Sequence, residues 1–564
     1  MFHFVRHGGD FVTAVTHTPG IAPAEDAPAE DAPAGWRVAR WVPLALILAA
    51  QAVLSARLFH LGIASDDEAR YIYSGHELIS ELWHGGGSPY YETYMSGAPV
   101  IYPILAAMVD HVGGLVAVRL MSTVFQLIAT GVLFASAKHL TGHWPGVAAA
   151  GLFAGLGLTQ DLGAYATYDA MSLALMALAT FCAVHTADGD DHATRWLLLV
   201  PAALVATNAT KYVTILFDPV VIGIAALQVA DHGIRRVMRR LATLAASTGI
   251  VLGLAALLAG GAYVKGIMFT TLDRQGGTQP ALGSVFTSGS AIVSETWSWI
   301  GVVLVLGAAA TLLALLVRRD VKSVALPALL TVAGLLVTAE ALHLHSAESM
   351  RKHDDFGAWF TCIGASYAFA YIQYLIRNGH VRHFLATVAG VAVILSGAYY
   401  SSQSAATYEA ADDTTYLAAF SVLRPYINDS GQYLFGGIDD EMLYTDHLSL
   451  PWYTYFDDIY IKYPIPGRGG DSHGRTPGRA CIVSRAGCMY LEGAAGYRAA
   501  IHAHWFTMIS MIASHGISQD IVIEQAVRQT RGYVLLTRVG GAPTWIYAPA
   551  YAHRARTPAR AELS

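Results

Sequence analysis

Charged residues are scarce in this sequence. Only 13% of its 564 residues are charged, whereas 54% are hydrophobic. A soluble domain carries roughly 25% charged residues, so much of the surface of this chain must face something other than water. The deficit is local, because apolar runs dominate from Trp41 to about Tyr400 and an ordinary globular composition follows. The sequence therefore excludes a wholly soluble protein and predicts a multi-pass membrane protein with a soluble C-terminal region.

Cysteine is scarce as well, and the four cysteines provide no redox framework. Cys182 and Cys362 lie in apolar runs, where a free cysteine packs as a small hydrophobic residue. Cys481 and Cys488 are near enough in sequence to close a short disulfide loop if the C-terminal region is outside the cell. The sequence leaves both states of this pair open.

Two further signatures are missing. No histidine cluster has the spacing of a strong metal-binding motif such as His-Glu-x-x-His, so we expect neither a metal ion nor another cofactor. No internal repeat is visible and the ionisable residues gather at one membrane face, which disfavours a secondary transporter. The clusters considered for metal binding are His343, His345, His353 with Asp354, and His502 with His504.

The first 40 residues lack both a cleavable signal peptide and the means to form a core. They contain the low-complexity stretch APAEDAPAEDAPA from Ala22 to Ala34. Such a composition cannot bury enough apolar surface to fold. We therefore expect residues 1–40 to be a disordered cytoplasmic segment, with membrane insertion beginning at the first spanning helix.

Eleven apolar segments are candidates for transmembrane helices, since a helix needs about 20 apolar residues to cross the hydrocarbon core. Between Trp196 and Val229, the residues Asn208, Thr210 and Lys211 interrupt the apolar run. We interpret this region as two short helices instead of one broken helix. The candidates are Trp41–Ile63, Leu115–Ala137, Trp144–Thr159, Ala170–Ala187, Trp196–Thr207, Val213–Val229, Leu241–Val264, Trp297–Val317, Val324–Leu342, Phe356–Ile376 and Phe384–Tyr399.

Lysine and arginine indicate the orientation, because they accumulate in cytoplasmic loops. With a cytoplasmic N-terminus, alternate loops carry the basic residues, while the outside segments carry most of the acidic residues near the membrane. An odd number of spans then places the chain from about Ser401 outside. The residues assigned to the inside are Arg37, Arg40, Lys138, Arg195, Arg235, Arg236, Arg239, Arg240, Arg318, Arg319, Lys322, Arg377 and Arg382.

The C-terminal region, residues 401–564, has the pattern of a mixed domain. The alternating run Tyr533–Val539 is followed by Gly540 and Gly541, which is typical of a strand and a turn. The predicted fold class is therefore an all-α polytopic membrane bundle of about eleven transmembrane helices, formed by residues 41–400, with a C-terminal extracytoplasmic α+β domain.

The first outside segment, residues 64–99, differs from a simple connector. It begins with Asp66, Asp67 and Glu68 directly after a spanning helix, and an amphipathic stretch typical of a helix on the membrane surface follows. Three acids at a membrane boundary are costly unless they are solvated, paired or functional. Charge alone favours a solvated helix N-terminus, where acidic residues complement the helix dipole.

The order of motifs in and after this segment changes that interpretation. The string Asp67-Glu68-Ala69-Arg70-Tyr71 follows the first span, and Gly97-Ala98-Pro99-Val100-Ile101-Tyr102-Pro103 leads into the second. This arrangement resembles the GT-C superfamily of membrane glycosyltransferases, and is most similar to the branch of protein O-mannosyltransferases and aminoarabinose lipid A transferases. The resemblance covers roughly residues 40–400 and implies a GT-C-like fold.

The resemblance implies that an aspartate of the first outer loop acts as general base on the acceptor hydroxyl. We assign this role to Asp67, which heads the Asp-Glu-x-Arg-Tyr string, with Asp66 as the alternative and Glu68 completing the acidic cluster. Asp169 matches the second-loop acid of the family, and Asp161 competes with it. A base is needed because the lipid-linked sugar already carries its leaving group, so the protein must deprotonate the nucleophile.

Five basic residues are candidates for holding the phosphate of the donor. Lys211 resembles the lysine with which the family faces the lipid phosphate, although a lysine that extends to the membrane interface would give the same pattern. The other candidates are predicted to lie on the same side of the membrane, and they are Arg70, Arg351, Lys352 and His353.

Together these residues imply transfer of a sugar from a polyprenyl-phosphate donor to an acceptor at the outer face, with inversion at the anomeric carbon. The expected partners are this donor, membrane lipid and an acceptor protein, lipid or glycan, with no nucleic acid. The high alanine and glycine content suggests a bacterial plasma membrane. A transporter or flippase of lipid-linked sugars is the alternative, and a polysaccharide-binding sensor or scaffold is a third interpretation.

Overall fold

The computed structural model describes the greater part of the chain, including all ten candidate site residues from Asp66 to His353. Residues 1–39 and the pair Cys481 and Cys488 lie outside the described residues, so the predictions made for them stay predictions. The described ranges are 40–60, 63–85, 91, 95–187, 193–271, 287–317, 320–347, 349–376, 379–411, 414–428, 431–445, 454–458, 461–465, 489–512 and 518–551.

Helices form most of the described chain before residue 424, and they surround one large apolar core. The two cysteines expected to pack there, Cys182 and Cys362, are buried free thiols. The helices, in chain order, are α1 Val42–Ala56, α2 Asp66–His84, α3 Tyr102–Thr141, α4 His143–Ala154, α5 Gly157–Ala164, α6 Tyr168–Val184, α7 Ala193–Thr210, α8 Asp218–Leu227, α9 Ile234–Ala259, α10 Gly261–Thr271, α11 Gly289–Val317, α12 Val321–Ala333, α13 Leu336–Leu344, α14 Met350–Leu375, α15 Gly379–Ala411 and α16 Thr414–Leu423.

Several of these helices are long and apolar enough to cross a membrane. In the described part of the chain three single helices meet this condition, namely α3, α9 and α11. Two bent pairs, α4 with α5 and α12 with α13, raise the number to five if each pair is one span. These helices overlap five of the predicted spans, so the multi-pass character is confirmed, while the count of eleven and the side assigned to each loop stay predictions.

The predicted amphipathic helix of the first outside segment is present as α2. The hydroxyl of Ser65 accepts a hydrogen bond from the backbone N–H of Glu68, and the carboxylate of Glu68 accepts one from the backbone N–H of Ser65. This capping box satisfies two backbone donors at the helix start, and the acids of the first turn complement the helix dipole. Helix α2 therefore begins at Asp66 and carries Asp67 in its first turn.

Helix α2 packs closely against the start of α3. A Cβ atom at Gly75 would overlap the carbonyl oxygen of Pro103 and would lie 2.8 Å from the Cβ atom of Ala107. Glycine inside a helix costs about 1 kcal/mol relative to alanine. The close approach of the two backbones explains why glycine stands here.

The interruption predicted between Asn208 and Lys211 is confirmed. Helix α7 ends at Thr210, and a 3-10 helix, Tyr212–Phe217, leads into α8. Lys211 itself has an extended backbone, with φ of −151° and ψ of 122°. It is nevertheless buried, with only 4% of its surface exposed, so the break places an ammonium group inside the bundle.

The predicted α+β character of the C-terminal region is also confirmed. Its elements are β1 Tyr433–Phe435, α17 Ile438–Tyr444, β2 Tyr455–Asp457, β3 Lys462–Pro464, β4 Tyr490–Glu492, α18 Gly493–His502, β5 Met508–Ser510, α19 Ser518–Gln529, β6 Tyr533–Val539 and β7 Ala542–Tyr547. Five strands form a sheet in the order β2-β1-β5-β7-β6. Strand β1 is parallel to β2 and β5, β7 is antiparallel to β5 and β6, and β3 with β4 forms a separate antiparallel pair.

The predicted strand Tyr533–Val539 and the turn after it are both present. Gly540 and Gly541 have φ angles of 56° and 87°. A two-residue hairpin with a type I′ turn requires positive φ at both central residues, which glycine adopts without strain. Strand β7 returns antiparallel to β6, with Val539 opposite Ala542.

The C-terminal domain docks on α2, the helix that carries Asp67. The hydroxyl oxygen of Tyr444 accepts a hydrogen bond of 2.6 Å from the backbone N–H of Ala64. The rings of Tyr73 and Tyr455 meet edge to face, with their centroids 6.1 Å apart. Tyr73 is itself part of the apolar core of the domain. The domain therefore contacts the start and the middle of α2.

Replacing Gly75 with alanine is predicted to destabilise the protein. The added methyl group would collide with the backbone of Pro103, and overpacking of this kind typically costs about 1–3 kcal/mol. Gly131→Ala in α3 is the matched control, because nothing lies within 4 Å of its Cβ position. Thermal unfolding in detergent should give a lower Tm for Gly75→Ala and an unchanged or higher Tm for Gly131→Ala. Equal Tm values would contradict the close packing of α2 on α3.

Candidate active site

An ion pair joins the first turns of α2 and α14. The ammonium group of Lys352 contacts Oδ2 of Asp67, and the phenol of Tyr71 donates to Oδ1 of Asp67 at 3.3 Å. The side chains of Asp67 and Lys352 are 36% and 25% exposed, so a ligand can reach both. The structure thus brings together the predicted base and one of the predicted phosphate ligands.

The surrounding charges keep Asp67 ionised. Burial by itself would raise its pKa, but Lys352, Arg70 and Lys211 together outweigh burial and lower the pKa of Asp67 to about 2. For Lys352, burial opposes the ammonium form, yet the carboxylates of Asp67 and Asp169 raise its pKa above the usual lysine value. Each partner favours the charged form of the other, so both are ionised at neutral pH.

A second ion pair lies beside the first. The Nε atom of Arg351 donates to Oδ2 of Asp161 at 2.8 Å, and Nη2 contacts the same oxygen. The guanidinium carbon lies 5.2 Å from the ring centre of Trp299, which favours the cation further. Both ion pairs face one cavity of about 320 Å³, which is at the small end of the range for small-molecule sites. Its lining residues are Asp67, Asp161, Leu162, Tyr165, Ser349, Arg351 and Lys352.

A third ion pair is buried next to this cavity. The ammonium of Lys211 contacts Oδ1 of Asp169, and the two side chains are 5% and 2% exposed. The ammonium also lies 4.8 Å from the ring centre of Tyr168. An ammonium at this depth needs such a carboxylate and such a ring, because an uncompensated buried charge is strongly destabilising. The positive charge of Lys211 is also among those that lower the pKa of Asp67.

Tyrosine rings connect the first ion pair to the third. The rings of Tyr71 and Tyr168 lie 4.4 Å apart, and Tyr102 meets each of them edge to face at 6.3 Å. Burial raises the pKa of Tyr71 well above its usual value, so its hydroxyl stays protonated and donates to Asp67. The cluster therefore fixes the carboxylate of Asp67 relative to the buried Lys211.

The glycine-proline motif holds the helix break that carries Lys211. Backbone hydrogen bonds of 2.7 and 2.8 Å join residues 96–98 to residues 209–212. A Cβ atom at Gly97 would overlap the carbonyl oxygen of Thr210, so only glycine permits this approach. The motif that suggested the family resemblance thus has a structural role in positioning Lys211.

Glu68 is placed differently from Asp67, although both belong to the predicted catalytic cluster. Its carboxylate accepts two hydrogen bonds of 2.8 Å from Arg119 of α3, whose side chain is 1% exposed. Arg119 also donates to the carbonyl oxygens of Phe59 and Ile63, at 2.6 and 3.2 Å. The backbone N–H of Ala166 donates to Glu68 at 2.7 Å. We interpret Glu68 as a positioning residue for the elements around it.

The other predicted residues occupy the edge of the site. Asp66 is exposed at the first position of α2, as a solvated helix N-terminus would be. Arg70 is half-buried one turn after Asp67 and contributes to lowering the pKa of that carboxyl. His353 is half-buried and is not among the residues that line the cavity. Within the described ranges, no group of three or more His, Cys, Asp or Glu side chains is arranged to hold a metal ion.

The sequence patterns do not single out Arg119, Tyr165 and Trp299. Arg119 lies inside the predicted span Leu115–Ala137, and a lone arginine in such a span is by itself a signal for a paired or functional residue. Tyr165 lines the cavity, with the ammonium of Lys352 6.0 Å from its ring centre. The two aromatic residues come from separate parts of the chain, so no spacing relates them to the site.

Comparisons with known proteins agree with this fold. Residues 98–259 match the family model described as dolichyl-phosphate-mannose-protein mannosyltransferase. The fold is similar to ArnT from Cupriavidus metallidurans bound to undecaprenyl phosphate, with a TM-score of 0.52 and 14% identity over 91% of this chain and 98% of that one. The apo structure of the same ArnT gives a TM-score of 0.54 and 13% identity over 92% and 98%. A comparison with curated proteins finds no match.

These likenesses confirm the resemblance to the GT-C superfamily of membrane glycosyltransferases. The family match contains Arg119, Asp169 and Lys211, while Asp67 and Lys352 lie outside the matched segment. The likeness to ArnT extends over nearly the whole chain and therefore includes the C-terminal α+β domain as well as the helices. The predicted GT-C-like architecture is correct.

Replacing Glu68 with glutamine is predicted to destabilise the protein by about 3–5 kcal/mol, the usual effect of breaking a buried ion pair. Glutamine can keep the capping hydrogen bond of α2 but leaves the guanidinium of Arg119 without a counter-charge. The double variant with Arg119→Met removes both charges and should regain part of the loss. Unfolding in detergent is measured for four proteins, namely the unaltered protein, Glu68→Gln, Arg119→Met and the double variant. A double variant that is as unstable as the two single effects combined would contradict the coupling.

Proposed function

We propose that the protein transfers a sugar from a polyprenyl-phosphate donor to the hydroxyl of a protein, lipid or glycan acceptor at the outer face of the membrane. The observation that carries this proposal is the meeting of the Asp67 carboxylate with Lys352 and Arg351 around one cavity. The family match and the fold shared with ArnT, crystallised with undecaprenyl phosphate, support the class of donor. The outer-face placement is supported by the distribution of lysine and arginine.

Asp67 acts as the general base, and donor binding activates it. A general base is most effective when its pKa is near the working pH, whereas Asp67 paired with Lys352 has a pKa of about 2. The phosphate of the donor competes with Asp67 for the ammonium group. When Lys352 moves to the phosphate, burial continues to favour the neutral carboxyl while its main counter-ion is lost. The pKa of Asp67 then rises, and an oxygen becomes free to accept the proton of the acceptor.

Lys352 and Arg351 stabilise the leaving group. Negative charge accumulates on the phosphate as its bond to the sugar breaks, and charge-assisted hydrogen bonds from an ammonium and a guanidinium oppose that charge. Asp161 holds Arg351 at the wall of the cavity before the donor arrives. The buried pair of Lys211 and Asp169 stays behind these groups, and the ammonium of Lys211 contributes to lowering the pKa of Asp67.

The reaction is a single displacement. The acceptor oxygen attacks the anomeric carbon on the face opposite the phosphate, and its proton passes to the carboxylate of Asp67. The polyprenyl phosphate leaves with the electron pair of the broken carbon–oxygen bond. One base and one leaving group, without a covalent bond between sugar and enzyme, imply inversion at the anomeric carbon.

Replacing Asp67 with asparagine is predicted to lower kcat by about 10²- to 10⁴-fold, the usual contribution of a general base. An amide cannot take the proton, while the cations remain, so retention of labelled donor should persist. Asp66→Asn is the comparison, because Asp66 is the exposed neighbour. The assay uses purified protein in detergent with labelled polyprenyl-phosphate sugar.

The outcomes of that assay separate the alternatives. Loss of transfer in Asp66→Asn together with full activity in Asp67→Asn would move the base to Asp66. A flippase needs no base and forms no glycosylated product in detergent, where two compartments do not exist. Donor binding without transfer by the unaltered protein, over a panel of acceptors, would therefore favour the flippase.

Replacing Lys352 with methionine is predicted to move the acidic limb of the kcat/KM–pH profile to higher pH. Without the ammonium, burial is opposed by the weaker effects of Arg70 and Lys211, so the pKa of Asp67 rises above about 2. The ionised base is then lost at a higher pH on acidification, and kcat/KM reports this free-enzyme pKa. Lys352→Arg keeps the charge and should keep the original limb. Superimposable profiles for all three proteins would contradict the role of this pair.

A further inference from the structure

A larger groove lies between α7 and α9, at the other end of the bundle from the candidate active site. Its volume is about 610 Å³. Helix α7 carries Thr194, which lines the groove, in its first turn and ends at Thr210, which precedes the buried Lys211. At 1.5 Å per residue these two positions are about 24 Å apart along the helix. The groove therefore lies near the opposite boundary of a hydrocarbon core that is about 30 Å thick.

The groove changes from cationic to apolar along α9. Arg236, Arg239 and Arg240 line its beginning, and their spacing of three and four residues places them on one face of the helix. Hydroxyl groups follow within the next two turns, at Thr243 and Ser247. Aliphatic side chains contribute the rest of the lining, namely Leu197, Leu198, Leu244 and Val251. This order of cationic, hydroxyl and aliphatic side chains complements a lipid with an anionic head group, a polar linker and an acyl chain.

The helix that forms one wall also faces lipid. Only 11% of the most apolar window of α9 is buried inside the protein, and Leu198 on the facing helix is 73% exposed. Exposed aliphatic surface of this kind needs acyl chains around it. A lipid molecule can therefore enter the groove sideways from the membrane.

The arginines differ in how they are held. The Nη1 atom of Arg240 donates to the carbonyl oxygens of Thr186 and Ala225, at 2.6 and 3.4 Å, which fixes it between the ends of α6 and α8. Arg236 and Arg239 are exposed on the adjoining turn. Among the residues that the structure describes, no carboxylate pairs with Arg239. The guanidinium fork suits a phosphate group, to which it can donate two hydrogen bonds.

We propose that this groove binds an anionic glycerophospholipid from the membrane leaflet opposite the active site. The phosphodiester lies against Arg236 and Arg239, the glycerol region beside Thr243 and Ser247, and one acyl chain along the aliphatic lining. Basic pockets between membrane helices bind anionic lipid head groups in this manner. The site would anchor the pair α7 and α9, and through α7 the break at Lys211, to the lipid matrix.

The test compares lipid retention by single arginine variants. Purified full-length protein is titrated with phosphatidylglycerol or phosphatidylcholine of identical acyl chains, and retained lipid is counted by native mass spectrometry. We expect the unaltered protein to retain phosphatidylglycerol in preference to phosphatidylcholine. This preference should fall about fivefold in Arg239→Gln and about 30-fold in the double variant that carries both Arg236→Gln and Arg239→Gln. Arg235→Gln is the matched control, because Arg235 is exposed beside them and does not line the groove.

A steric variant separates the groove from general surface charge. Ala202→Trp keeps every arginine but fills the lining, and it should reduce retention of phosphatidylglycerol as the charge variants do. Equal retention of the two lipids, or equal losses in Arg235→Gln and Arg239→Gln, would overturn the proposal and leave the arginines as orientation signals only. Arg239-dependent binding of undecaprenyl phosphate in preference to phosphatidylglycerol would also overturn it, because the groove would then be a second site for the donor lipid.

Discussion

The buried ion pair of Glu68 and Arg119 is the constraint on which the candidate site depends. It joins the segment that follows α1, the capping box of α2, the middle of α3 and the backbone of Ala166, three residues before Asp169. Either charge left alone at this depth would be destabilising by several kcal/mol. The pair therefore fixes these elements relative to one another, and in that arrangement both Asp67 and Asp169 lie near enough to Lys352 to raise its pKa.

The site that results is a set of three matched charge pairs instead of an open positive pocket. Lys352, Arg351 and Lys211 each contact a different aspartate. An unpaired charge in a low-dielectric interior is strongly destabilising. Pairing with aspartates therefore allows the folded protein to hold several cations there before a ligand binds. An anionic donor then binds by exchange of partners, and the most exposed pair, Asp67 with Lys352, exchanges most readily.

Local features were predictable from the sequence and distant pairings were not. The amphipathic stretch after Glu68, the polar interruption before Lys211 and the alternation in Tyr533–Val539 act over a few residues, so their patterns predicted a helix, a break and a strand. Lys352 and Asp67 are 285 positions apart, and no spacing rule relates them. The family resemblance assigned Asp67 to the site and the predicted topology put Lys352 on the same side of the membrane, but neither indicated that the two residues pair. The hydropathy pattern placed Arg119 inside a predicted span, but it did not indicate that the partner of Arg119 is Glu68 in the first outside segment.

The contact between the C-terminal domain and α2 makes the domain part of the frame of the site. Tyr444 accepts the backbone N–H of Ala64, the residue directly before the cap of α2, while Tyr455 packs on Tyr73 two turns further on. A change in either contact surface shifts α2 and therefore moves the side chain of Asp67. The two regions must consequently diverge together in evolution, and a chimaera that exchanges the domain between relatives has to carry its own first loop with it.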